Sequence, residues 1–285
     1  MERTNVTSAA PPKLVFPIDA HLAIGSLVYE GVDQIDLTGP FEVLSRIPNS
    51  SYRIYGLSDE PVRDVKGLRL APDATIEDAP QLDVLHVPGG FGQERLMDDE
   101  RLMAWLRSQA AGAGCVFSVC TGALLLGAAG LLKGVRATTH WSALSLLPYF
   151  GATPVDERVV VDGRLVFAAG VTAGIDGALS VAAGLRGPQV AQEIQLHMAY
   201  APEPPFDSGT PASAPAAVLA KAREAVAEIT RRREQTAIRI ADGLGLRPEL
   251  TPGLGLGLRP GLGPGLGLGL GRPESPRPAE PDFMP

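Results

Sequence analysis

Apolar positions along the chain change their period repeatedly. Short β-branched or aromatic runs predict strands at 22–29, 52–57, 82–87 and 116–119, with another short one at 135–141. Residues 62–70, with Gly67, read as a hairpin or edge extension. Strands at 158–162 and 164–169 flank Asp162-Gly163, a pair suited to a tight hairpin turn. Between these runs, Ala and Leu recur at helical spacing. Helices are expected over 41–47, 102–111, 122–132, 142–149, a stretch ending at Leu185, 188–200 and 216–241. Strands alternating with helices predict an α/β fold: a doubly wound, mostly parallel sheet with helices on both faces.

The pattern fails at both ends. Residues 1–20 mix Thr, Ser, Ala and Pro with scattered charges and no period, and are expected to form a loose, disordered leader. From about residue 243, Gly-Leu and Gly-Pro repeats replace any helical pattern, with Leu254-Gly255-Leu256-Gly257-Leu258 nearly copied at Leu266 to Leu270. So much Gly and Pro supports neither helix nor core, so 243–285 is expected to be a low-complexity tail. One folded domain, 21–242, remains, with a Pro-rich extended stretch at 202–215 before its last helix.

Composition narrows the function classes. Of 285 residues, 45% are hydrophobic, enough for a substantial core. The net charge of −7, with no basic run longer than Arg231-Arg232-Arg233, argues against a nucleic-acid partner. No apolar run reaches the ~18 residues of a membrane span, and the first residues lack a signal-peptide core. Two cysteines make no disulfide framework and fit a reducing cytoplasm.

One cysteine sits where chemistry is expected. Val116 to Val119 ends at Cys120-Thr121-Gly122, from which the next helix departs, a geometry like the nucleophile elbow of hydrolases. Unpaired N–H groups at a helix start favour a thiolate, so Cys120 is expected to have a lowered pKa. Cys115, inside the strand, reads as a small buried hydrophobe. Asp36 follows the first strand, on the edge where open α/β sheets bind ligands, and reads either as a site carboxylate or as a helix cap competing with Thr38. Pro88-Gly89-Gly90 ends another strand and leaves N–H groups that suit an oxyanion hole, although such triplets are also ordinary turns. His140 lies at a further expected strand end, with a structural and a functional reading both open. His21, His86 and His197 lack partners at ligand spacing, so no metal is expected.

Ile35-Asp36-Leu37-Thr38-Gly39-Pro40, Val87-Pro88-Gly89-Gly90, Ser118-Val119-Cys120-Thr121-Gly122, Ala137-Thr138-Thr139-His140-Trp141 and Thr172-Ala173-Gly174-Ile175-Asp176 occur in an order that resembles the DJ-1/PfpI superfamily, and within it the bacterial isonitrile-hydrating branch. Ala201 to Phe206 extends the likeness, which covers 22 to about 240. The resemblance implies a dimeric flavodoxin-like domain without cofactor or metal, adding water to an isonitrile to give an N-substituted formamide. It implies Cys120 as nucleophile forming a thioimidate, Asp36 as acidic partner and Thr121 as the residue behind the nucleophile. Gly89, Gly90 and His140 are then expected around the oxyanion and substrate. The chain departs from the pattern at Gly177, where relatives tend to be larger, and at Phe91 and Gln93. Other readings are a DJ-1-like glyoxalase or thiol redox sensor, and a ligand-sensing domain of AraC-type regulators lacking its DNA-binding part. Glutaminase and peptidase readings fit less well: Thr121 stands where such peptidases carry His, and no His-x-Glu pair occurs.

Overall fold

The computed structural model describes residues 11–246, apart from 13, 15 and 18. Seven strands make the main sheet: β1 (Leu22–Val28), β2 (Ser50–Gly56), β3 (Ala74–Thr75), β4 (Val84–Val87), β5 (Cys115–Val119), β6 (Val159–Asp162) and β7 (Leu165–Ala168), in the order β6-β7-β5-β4-β1-β2-β3. All neighbours are parallel except the β6–β7 hairpin, whose turn carries Gly163 at φ +60°. Helices are α1 (Gln34–Leu44), α2 (Gln93–Leu96), α3 (Glu100–Gly112), α4 (Gly122–Ala128), α5 (Ala173–Arg186), α6 (Pro188–His197) and α7 (Ala216–Gly243). Trp141–Phe150 winds as a tighter 3-10 helix where an α-helix was expected.

Side chains of the central strands alternate between two cores, as a period of two demands. Leu85, Val87 and Val116 join Leu102, Leu106, Leu124, Phe150, Ala237 and Ala241 on one face. Val84, Cys115, Phe117 and Val119 join Val43, Leu44, Val181, Leu185 and Ile194 on the other. Helices therefore cover both faces, and the loops leaving β1, β4 and β5 converge at one edge because those strands are parallel.

The sequence pattern missed contacts at both ends. Pro12 is buried, Leu14 and Phe16 pack on the second core, and the Phe16 ring fills the space beside Gly114. Pro12, Leu14 and Phe16 of the expected leader therefore dock, apolar residues too sparse to show a period. At the other end Leu246 packs against the first core. Residues 1–10 and the expected tail from 247 onward lie outside the described residues.

Candidate active site

β5 delivers Cys120 to the converging edge with φ +55°, a left-handed conformation that a side chain adopts at a cost. The surroundings hold it there. Its N–H donates to the Ala168 carbonyl at 2.9 Å, and its own carbonyl accepts from Thr139 Oγ1 at 2.7 Å. The turn also presses against the end of β4, where a Cβ on Gly122 would stand 2.1 Å from the Val87 oxygen. Only glycine fits that approach.

Asp36 lies in the first turn of α1 and is buried. It does not cap the helix: Asp33 does, accepting from the Ile35 N–H at 3.2 Å. Thr38 is no cap either, since its hydroxyl donates to Gln34. The Asp36 carboxyl instead reaches the loop after β4, where Oδ2 accepts from the Gly89 N–H at 3.0 Å and Oδ1 has no partner. Burial, with Asp33 adding, pushes its pKa up to about 8, against the pull of the Cys120 thiol and the Gly89 amide.

The thiol departs from expectation. Cys120 is only 7% exposed, and burial together with the Asp36 charge pushes its pKa well above the usual thiol value. The Thr121 N–H and Arg233 oppose the rise without reversing it. A helix start was expected to lower this pKa, but α4 has only 7 residues and the desolvation of a buried sulfur outweighs its field. The site thus pairs two weak acids that retain protons at neutral pH.

Gly89 and Gly90 fit close quarters. A Cβ on Gly89 would meet Thr121 N at 2.5 Å and Asp36 Oδ2 at 2.9 Å, while Gly90 takes φ +145°. Their N–H groups are already engaged, Gly89 by Asp36 and Gly90 by Thr121 Oγ1 at 3.1 Å. They orient the acid and the hydroxyl rather than stand open to an oxyanion. The amide facing the sulfur is that of Thr121.

Cys120, Asp36, Thr121, Gly89 and Gly90 are thus brought together, and His140 directly follows Thr139, whose hydroxyl holds the Cys120 carbonyl. Of its expected strand, 135–141, only Arg136–Ala137 forms, pairing with Thr153–Pro154 outside the main sheet. Its Nδ1 lies 2.8 Å from Ser142 Oγ and caps the 3-10 helix, and burial, with Arg233 nearby, lowers its pKa to about 4.

Two contributors went unread in the sequence. Tyr29, buried just after β1, donates its hydroxyl to the Pro88 carbonyl at 2.9 Å. Arg233, from α7, donates to the Gly90 carbonyl at 2.9 Å and to Gln93 Oε1 at 3.1 Å, and lies 3.5 Å from Thr121 Oγ1. A signal was available: Val226, Thr230, Arg233, Ala237 and Ala241 fall at helical spacing, placing an arginine in a core stripe. Among the described residues, no cluster of His, Cys, Asp and Glu is arranged to hold a metal.

A strained cysteine between strand and helix, faced by a buried carboxyl at the edge of a parallel sheet, defines a cysteine-centred α/β domain. The DJ-1/PfpI family model matches residues 24–183, and the chain belongs to this family. It is 50% identical over 226 residues to an isonitrile hydratase from Pseudomonas putida, covering 79% of this chain and 99% of that one. A glutathione-independent glyoxalase from Caenorhabditis elegans is 29% identical over 141 residues, 49% of this chain and 75% of the relative. Among solved structures, a ThiJ/PfpI family protein from Pseudomonas syringae superposes with a TM-score of 0.75 at 38% identity, covering 83% of this chain and 97% of that one.

Proposed function

We infer that the protein hydrates isonitriles to N-substituted formamides, with Cys120 as nucleophile and Asp36 as proton carrier. The observation that carries this is the buried pair itself, an Asp36 carboxyl aimed by the Gly89 N–H, with Oδ1 unpartnered, beside the Cys120 thiol. An isonitrile needs a proton on the carbon that the sulfur attacks, and a carboxyl of raised pKa supplies it.

The steps balance. The S–H bond breaks while C–S and C–H bonds form at the isonitrile carbon, giving a thioimidate, R–N=CH–S–Cys120. Asp36, its Oδ1 unpartnered, carries the proton from sulfur to carbon. Water then adds across C=N, the C–S bond breaks with its electrons returning to sulfur, and sulfur regains a proton as R–NH–CHO leaves. The Thr121 N–H steadies the sulfur when it is anionic. Similarity to the Pseudomonas putida hydratase over nearly that protein's whole length supports the reading; the glyoxalase matches a smaller share of this chain at lower identity. A peroxide-sensing role suits the site less, because oxidation needs an exposed thiolate and this sulfur is buried and protonated.

We place the enzyme in the cytoplasm as a homodimer. Both cysteines are free, and Leu196 and Phe206 offer exposed apolar surface for a second copy. Among the described residues no helix is long and apolar enough to cross a membrane. The test of function is purified protein mixed with cyclohexyl isonitrile or with methylglyoxal: formamide from the first supports the reading, and lactate from the second with no formamide overturns it.

A further inference from the structure

α7 lies beyond the residues that the family model matches, yet it places a charge inside the site. Arg233 is 2% exposed. Its hydrogen bonds go to neutral acceptors, the Gly90 carbonyl, Gln93 Oε1 and, at long range, Thr121 Oγ1. Among the described residues no carboxylate lies within ion-pair distance of it. Glu94, the acid on the facing helix α2, pairs with Arg232 at 2.9 Å and accepts from Thr236 Oγ1 at 3.0 Å. A buried cation without an anion is costly, and a bare hydrogen-bonding role would not require the charge.

We propose that Arg233 is a positioning residue that serves as the fixed counter-charge for the Cys120 thiolate as it forms during turnover. The guanidinium reaches the two segments that frame the sulfur, the loop after β4 through Gly90 and the turn after β5 through Thr121. In the resting thiol the cation has no full partner. When the sulfur's proton leaves, either to the substrate or to an Asp36 that has just given its own proton to the substrate carbon, the sulfur becomes an anion that the Arg233 charge favours. The other charged or titratable groups around the pair are Asp36 and Asp33 at the start of α1, Tyr29 after β1, Glu94 on α2, Arg232 on α7 and His140. Asp36 opposes the thiolate and Arg233 favours it, so the two residues set the sulfur's ionisation from opposite sides.

This deepens the assignment of Cys120 and is tested without an isonitrile. The full-length protein is alkylated with iodoacetamide across pH, and labelling of Cys120 is followed by peptide mass. Arg233→Met is expected to move the midpoint of reactivity up by about one pH unit or more, a ~10-fold slower reaction below the midpoint, while Arg233→Lys stays near wild type. An unchanged midpoint in folded Arg233→Met overturns the proposal, because a structural staple for α7 would change only thermal stability. If the Met variant does not fold, Arg233→Gln keeps a donor for the Gly90 carbonyl and carries the same comparison, with an unchanged midpoint again decisive against it. Formamide production by the wild type is scored separately, so a protein that makes none leaves the alkylation result readable.

Discussion

The N–H of Gly89 donates to Oδ2 of Asp36 at 3.0 Å, and this bond aims a carboxyl from the first strand–helix unit at a cysteine from another. It leaves Oδ1 unpartnered on a buried acid. Since α1 and the loop after β4 are far apart in sequence, the pairing depends on the parallel sheet bringing their ends together.

Asp36→Asn keeps an acceptor for Gly89 but removes the titrating proton. Hydration should fall by about 10² to 10⁴, the usual range for general acid–base catalysis. Steady-state assay of folded variant checks this, and undiminished turnover removes Asp36 from the mechanism.

The same carboxyl links stability to pH. Its folded pKa of about 8 lies above its unfolded value near 4, so between those values the native state holds a proton that the unfolded chain has released. Stability should therefore fall as pH rises from about 4 to 8 and level off above that range. Asp36→Asn should flatten this slope and be the more stable protein at pH 8, by roughly a few kcal/mol, in urea titrations at several pH values.

Cys120 carries a backbone cost as well as chemistry. At φ +55°, glycine is tolerated better than alanine, so Cys120→Gly should be more stable than Cys120→Ala by about 1 kcal/mol, with both inactive. Cys115, 0% exposed inside β5, should resist iodoacetamide in the folded protein while Cys120, 7% exposed at the strand end, labels at alkaline pH, and Cys115→Ala should lose stability rather than activity. Equal labelling of both cysteines would contradict the assignment.

Removal of residues 1–20 should lower the melting temperature. Phe16 fills space beside Gly114, Pro12 packs at Gly184, and Arg186 donates to the Ala20 carbonyl. An unchanged melting temperature would show that these contacts contribute nothing.

The longer strands of the main sheet were legible because each buried run has a period of two or is wholly apolar: the 116–119 reading falls within Cys115–Val119, whereas the two-residue Ala74–Thr75 carries no such pattern. Cys120, Thr121, Gly89 and Gly90 were readable for the same reason, lying just past such runs. The start of α1 was not, since Gly39 and Pro40 interrupt the pattern and suggested a helix from 41, whereas the helix begins at Gln34. Pro40 lacks the amide that would bond the Asp36 carbonyl, and the buried His86 ring faces that carbonyl instead. The thiol's ionisation was misjudged because burial is a tertiary property: Cys120 sits in the second core, among residues of the sheet, α1 and α5. Arg233 was missed because an arginine on a charged helix looks solvated until the helix is docked.

Hydration through Cys120 requires a covalent bond between its sulfur and the isonitrile carbon, which the intact mass of enzyme quenched during turnover of cyclohexyl isonitrile reports. An adduct heavier by the whole isonitrile is expected, localised to Cys120 and absent from Cys120→Ser, which should form no formamide. Continued formamide production by Cys120→Ser would contradict it.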